Sequence, residues 1–217
     1  MTTLSAAPIP TVYVVDDDVS VRESLSSLIR SEGMLVEVFA TPLDFLALGE
    51  FSDFSCVVLD VRMPSLDGLE LQNRIAELRR PIPIIFITGH GDVPLAVRAM
   101  RAGAIDFLNK PFDDTDLLKA IALALSHVSA RSHERMELAD LSLRFDTLTP
   151  REKQIMFAVA QGKQNKLIAY DLCITESTVK VHKHNVMSKM RLRSIAELTL
   201  AIQRLKSQIP PARPVPR

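Results

Sequence analysis

Cys56-Val57-Val58-Leu59-Asp60-Val61-Arg62-Met63-Pro64 is the stretch on which the reading of the fold turns. Four apolar residues run into one carboxylate, and a proline follows four positions later. An unbroken apolar run of this length suits a strand buried on both faces, as in a parallel sheet. Pro64 and the later Asp67-Gly68 pair then force a loop. In an open parallel sheet, ligands sit beyond the carboxyl ends of the strands. Asp60 would therefore stand at the rim of the sheet, where a carboxylate can act as a nucleophile. An Asp that merely caps the following loop is the alternative, and the other strand ends decide between the two.

Working outward, Thr11-Val12-Tyr13-Val14-Val15 is a β-rich run that ends in Asp16-Asp17-Asp18. Val21, Leu25, Leu28 and Ile29 then recur at helical spacing up to Gly33, and Leu35-Val36-Glu37-Val38-Phe39 reads as a second strand. Thr41-Pro42-Leu43-Asp44 supplies an N-cap, a Pro at the first helical position and an acid in the first turn. Beyond the Asp60 strand, Leu69, Leu71, Ile75 and Leu78 predict a third helix before Pro81. Ile84-Ile85-Phe86-Ile87 is a fourth strand, ending at Thr88-Gly89-His90-Gly91. A helix over about 93–102 stops at Gly103, and Ile105-Asp106-Phe107-Leu108 leads to Asn109-Lys110-Pro111. A fifth helix starts near Asp113–Thr115. Five strands alternating with five helices imply right-handed parallel crossovers with helices on both faces. An acid pair, a lone acid, a hydroxyl and a lysine at successive strand ends then amount to a site.

Leu117, Leu118, Ile121, Leu125 and Val128 give the fifth helix an apolar stripe, which thins over Ser129–Arg135 and resumes at Leu138, Leu141, Phe145 and Leu148. A helical linker over 129–145 is expected, with an exposed spacer as the competing reading. Thr149-Pro150-Arg151-Glu152 has the form of a capping box with Pro at the first position. The helix it opens buries Ile155, Met156 and Val159 and stops at Gly162. A short helix over Asn165–Leu172, a turn at Cys173-Ile174-Thr175 and a longer helix from Glu176 to Met190 suggest a helix-turn-helix. That longer helix hides Val179, Val186 and Met190 and turns Lys180, Lys183, His184 and Asn185 outward. Ser194-Ile195-Ala196-Glu197 opens a fourth helix, and the Pro-rich tail at 208–217 is expected to be disordered.

Composition agrees with two modules. The 217 residues allow one large or two small domains, and 47% apolar content supports true cores. Net charge is zero, yet from Thr149 onward there are 13 Lys/Arg against 4 Asp/Glu, leaving 13 against 22 before it. Such asymmetry points to an acidic module joined to a nucleic-acid-binding one. No run of 18 apolar residues suggests a membrane span, and the first ten residues lack the pattern of a secretory signal. Cys56 and Cys173 lie in separate segments, and neither a disulfide nor a metal pair is expected, which fits a reducing cytoplasm.

Val-Val-Asp-Asp-Asp, Leu-Asp-Val-Arg-Met-Pro, Ile-Thr-Gly-His-Gly-Asp-Val-Pro and Asp-Phe-Leu-Asn-Lys-Pro-Phe together resemble the receiver domain of two-component response regulators, especially the FixJ-like branch. Leu-Thr-Pro-Arg-Glu, Gly-Lys-Gln-Asn-Lys-Leu-Ile-Ala, Thr-Val-Lys-Val-His and Val-Met-Ser-Lys-Met resemble the four-helix DNA-binding domain of the LuxR/FixJ/NarL type. One departure is Leu167, where that family usually has Glu. The resemblance implies an α/β flavodoxin-like receiver over 10–128 with strand order 2-1-3-4-5, and an all-α helix-turn-helix domain over 146–207. It implies Asp60 as phosphoacceptor for a sensor histidine kinase. Mg²⁺ (or Mn²⁺) would be held by Asp17, Asp60 and the backbone carbonyl of Arg62, with Asp16 acting mainly through water. Lys110 and the Thr88 hydroxyl would engage phosphoryl oxygens, and Thr88 and Phe107 would form the switch, although Phe107 also reads as an ordinary core residue. Lys110-Pro111 is a candidate cis peptide, and Arg62 and His90 occupy positions that tune dephosphorylation. In the output domain Lys180, Val181 and His184 match base-facing positions, while Lys183, Lys189 and Thr178 suit phosphate contacts on double-stranded promoter DNA. RNA polymerase as a partner and homodimerisation on phosphorylation follow from the same resemblance.

Three other readings compete, one of them a C-terminal domain that binds protein with its basic face merely solvated, which DNA binding with a steep salt dependence would exclude. A phosphohydrolase with Asp60 as covalent nucleophile needs a second acid two residues on, where this chain has Arg62. A regulator that works without phosphorylation would not need Asp16, Asp17, Asp60, Thr88 and Lys110 all present.

Overall fold

The computed structural model describes residues 8–64, 66–77, 81–89 and 93–206. His90 and the tail at 208–217 lie outside the described residues. The chain divides into two compact units between Arg131 and Ser132.

The N-terminal unit alternates β1 (Thr11–Val15), α1 (Val19–Ser31), β2 (Leu35–Phe39), α2 (Pro42–Ala47), β3 (Ser55–Asp60), α3 (Gly68–Ala76), β4 (Ile84–Thr88), α4 (Val93–Arg101) and β5 (Asp106–Asn109). All strand pairs are parallel, in the order β2-β1-β3-β4-β5. β1, β3 and β4 are buried along their whole length, which is why their sequences are apolar without alternation. Side chains still alternate between faces. Tyr13, Val15, Val57, Leu59 and Phe86 join one core with Phe45, Leu71, Ile75 and Ala99 from α2, α3 and α4. Val12, Val14, Cys56, Val58, Ile85 and Ile87 join the other. There they meet Leu25 and Ile29 from α1 and Leu117, Ala120, Ile121 and Ala124 from α5 (Asp114–Asp146). Each fully buried Val, Leu or Ile contributes roughly 1.5–3 kcal/mol over its exposed state. Burial also raises the Cys56 thiol pKa to about 12.

Element ends shift by a residue or so from the sequence reading. β5 starts one residue late, at Asp106, although the Ile105 N–H already donates to the Ile84 carbonyl (2.8 Å). α5 is one continuous helix through the expected linker. The second part of that stretch belongs to a core: Leu141 and Leu148 are buried among Ile155, Met156, Val179 and Val186, and Leu138 and Phe145 pack against the same cluster.

The C-terminal unit adds α6 (Pro150–Ala160), α7 (Asn165–Asp171), α8 (Glu176–Met190) and α9 (Ile195–Lys206). Thr149 caps α6 as the sequence predicts: its hydroxyl accepts from the Glu152 N–H, and its own N–H donates to Glu152 Oε2 (2.8 Å). The predicted box at α9 is displaced. Ser194 Oγ accepts from the Glu197 N–H (3.1 Å), but the Glu197 carboxylate takes the N–H of Arg193 instead of that of Ser194. Cys173, exposed in the turn between α7 and α8, holds φ 52°, and Thr175 caps α8.

Candidate functional site

Parallel strands deliver their carboxyl ends to one edge of the sheet, and four of the five carry the expected polar groups there. Asp60 closes β3 and pairs in register with Ile87, so Thr88 lies one residue further along the neighbouring strand. Asp16 follows β1 directly and is fully buried, whereas Asp17 is exposed. Carboxylate oxygens of Asp16, Asp17 and Asp60 lie within 4.8 Å of one another. Lys110 reaches into this group from beyond β5: its Nζ donates to Asp16 Oδ2 at 2.6 Å and stands 3.6 Å from Asp60 Oδ1. The N–H of Lys110 donates to the Thr88 carbonyl (2.7 Å), tying those two strand ends together, and the Lys110–Pro111 peptide is cis.

The electrostatics of this rim are unbalanced. Three carboxylates face one ammonium. Burial pushes the Asp60 carboxyl above its ordinary pKa, Lys110 pulls it back, and Asp16 and Asp17 push it up again. Asp60 Oδ1 is buried with no hydrogen-bond partner. A carboxylate oxygen without a hydrogen bond beside two more acids suits a hard divalent cation, which takes oxygen ligands, so the residues present fit Mg²⁺.

Asp18 stands apart from the rim group as the N-cap of α1, accepting from the Ser20 N–H (2.8 Å). Phe107 is half-buried and packs against the Phe86 ring with centroids 6.2 Å apart. Arg62 is exposed and lines a groove of about 270 Å³ with Asp67, Pro94 and Arg98. Two supporting residues escaped the sequence reading. Arg22 donates to the Asp16 carbonyl (2.6 Å), and nothing in its surroundings signals this. Gly68, read only as part of a loop-forming pair, sits so close to the strand that an added Cβ would lie 2.6 Å from the Asp60 carbonyl oxygen.

In the C-terminal unit α8 buries Val179, Val186 and Met190 and leaves Lys180, Val181 and His184 exposed. Lys183 is half-buried, and Thr178 Oγ1 lies 2.8 Å from that of the cap Thr175. Lys189, expected at a phosphate, is exposed on its outer side, and its Nζ donates to Glu152 Oε2 at 2.7 Å and to the Thr147 carbonyl at 3.4 Å. Burial tends to raise the pKa of the Glu152 carboxyl, but the hydrogen bonds from Lys189 and Thr149 prevail and hold it below the ordinary value.

Residues 12–122 match the model of the response regulator receiver domain, and residues 146–202 match that of the bacterial regulatory proteins of the luxR family. The response regulator protein TmoT of Ectopseudomonas mendocina is 46% identical, the alignment covering 91% of this chain and 90% of that one. The transcriptional regulatory protein FixJ of Rhizobium meliloti is 44% identical over 87% of this chain and 92% of its own. Among solved structures, the response regulator StyR shares 46% identity with a TM-score of 0.74, covering 90% of this chain and 99% of that one.

Proposed function

The chain belongs to the response regulators that join a receiver domain to a LuxR-type DNA-binding domain, and as such it is a transcriptional regulator of a two-component system; on that footing we propose that Asp60 is the phosphoacceptor whose modification governs promoter binding by α8. The observation that carries this reading is the buried Asp60 Oδ1, which accepts no hydrogen bond and stands 3.6 Å from Lys110.

The Asp60 carboxylate attacks the phosphorus of a phosphohistidine on a sensor kinase. The P–N bond breaks and its electron pair leaves with the imidazole. Asp17, Asp60, the Arg62 carbonyl and, through water, Asp16 would hold Mg²⁺ (or Mn²⁺), which would supply the positive charge that phosphoryl transfer needs. Lys110 turns from Asp16 toward the new phosphoryl oxygens, as a charge-assisted hydrogen bond favours. The Thr88 hydroxyl engages a second oxygen, and Phe107 moves with it.

Phosphorylated chains then pair through α4 and β5, where Val93, Val97 and Met100 are exposed apolar residues in search of cover. Two α8 helices reach half-sites one DNA turn apart, converting two weak contacts into one avid contact. Lys180, Val181 and His184 meet base edges, while Lys183 and Thr178 meet phosphates. RNA polymerase is the partner that reads the bound state, and the cytoplasm is where the kinase, DNA and polymerase meet. Among the described residues no helix is long and apolar enough to cross a membrane. The phosphohydrolase alternative gains nothing from the geometry, because Arg62 stands where its general acid is required.

Asp60→Asn tests the reading. The amide keeps the shape but cannot form the acyl phosphate, so labelled acetyl phosphate in Mg²⁺ should phosphorylate the wild type and leave the variant unlabelled. Equal incorporation into both would remove Asp60 from its role.

A further inference from the structure

A groove of about 450 Å³ lies at the C-terminal end of α8, lined by His184, Met187, Ser188, Arg191, Leu192 and Arg193. Ser188, Arg191 and Arg193 are not among the contacts assigned above. His184 and Ser188, four residues apart, continue the helical face that carries Lys180 and Val181, and Arg191 follows as the left-handed C-cap that ends the helix. Lys189 projects from the opposite side, into its ion pair with Glu152.

Both arginines are exposed, and among the described residues neither guanidinium is paired with a carboxylate. The nearest acid in sequence, Glu197, is occupied by the backbone N–H of Arg193 (2.7 Å). The groove floor is apolar, formed by the half-buried Met187 and Leu192 that pack against the unit's core. The result is a cationic wall over a packed base, fixed in place by Arg191 at φ 54°, where α8 ends.

We propose that this groove seats the sugar-phosphate backbone of duplex DNA, with Arg191 and Arg193 each neutralising one phosphate. The proposal rests on the reading that α8 enters the major groove. Eleven residues separate Lys180 from Arg191, a rise of about 16 Å at 1.5 Å per residue. The major groove is only about 12 Å wide. A helix whose first half reads base edges therefore meets the flanking backbone at its far end. Guanidinium forks suit phosphate oxygens bidentately. Such contacts set register and affinity without reading sequence.

The test uses the full chain and two unrelated random-sequence duplexes, with binding measured across a salt series. Arg191→Asn removes the charge while tolerating the left-handed backbone, and Arg193→Gln keeps most of the side-chain length. The double variant should bind both duplexes more weakly by a similar factor, and its salt slope should fall by about two units, since each neutralised phosphate contributes about 0.9. Arg191→Lys with Arg193→Lys should restore the slope, which a purely structural role for the arginines would not predict. An unchanged slope in the charge-removing variant, or weakening confined to one duplex, overturns the groove while leaving α8 as reader. Wild-type chain without salt-sensitive duplex binding overturns the underlying DNA reading and the groove with it.

Discussion

At the scale of single residues, the least expected finding is that the exposed Lys189 also pairs with the buried Glu152 of its own unit. Glu152 is buried and accepts from both Lys189 and the α6 cap. Lys189→Met should therefore lower the stability of the C-terminal unit by about 1.5–3 kcal/mol, the worth of a hydrogen bond to a charged group, while the cap N–H of Thr149 stays on the same oxygen; thermal melting followed by circular dichroism measures it. Since the folded-state pKa of Glu152 is lowered, its contribution to stability is complete above the ordinary Glu range and is lost as pH falls through the folded value. The melting advantage of wild type over Glu152→Gln should accordingly shrink as pH drops below roughly 4, and an advantage that grew on acidification would contradict the pairing. The sequence exposed half of this. Thr149 and Glu152 announce a capping box by their spacing, but Lys189 is 37 residues from Glu152 and its partner depends on how α8 crosses α6. The rim acids were easier to read, because each closes an apolar run whose burial is written in its composition.

At the scale of elements, α5 is the instructive case. Its stripe breaks over Ser129–Arg135 and resumes, and periodicity alone cannot distinguish an exposed connector from a helix with a second packing surface. The partners that settle the matter, Ile155, Met156 and Val186, come from α6 and α8. Leu141→Ala should cost the C-terminal unit about 2–5 kcal/mol, as expected for a buried Leu in a core. Leu143→Ala, at a position 69% exposed, should change stability by less than about 0.5 kcal/mol. Similar melting of the two variants would return the whole stretch to linker. Elements whose burial is written in their own composition were legible almost to the residue. β1, β3 and β4 match their predicted ranges closely because parallel burial demands apolar residues on both faces.

At the scale of the whole molecule, an acidic unit precedes a basic one, and in the proposed reading a change of association couples phosphorylation of the first to DNA binding by the second. Sedimentation of the full chain with and without acetyl phosphate and Mg²⁺ should show a monomer that becomes a dimer, and Val97→Asp on α4 should abolish the shift without affecting phosphorylation. A chain that remains monomeric when fully phosphorylated would rule out pairing through α4 and β5. Following such a change calls for a reporter, and the placement of the two cysteines provides one. Cys56 is sealed in β3 with its thiol pKa raised to about 12, so it offers almost no thiolate to an alkylating dye. Cys173 is exposed at the turn that presents α8. Toward a maleimide the natural chain behaves as a single-cysteine protein, and a fluorophore attached without mutagenesis would sit beside the DNA-reading helix.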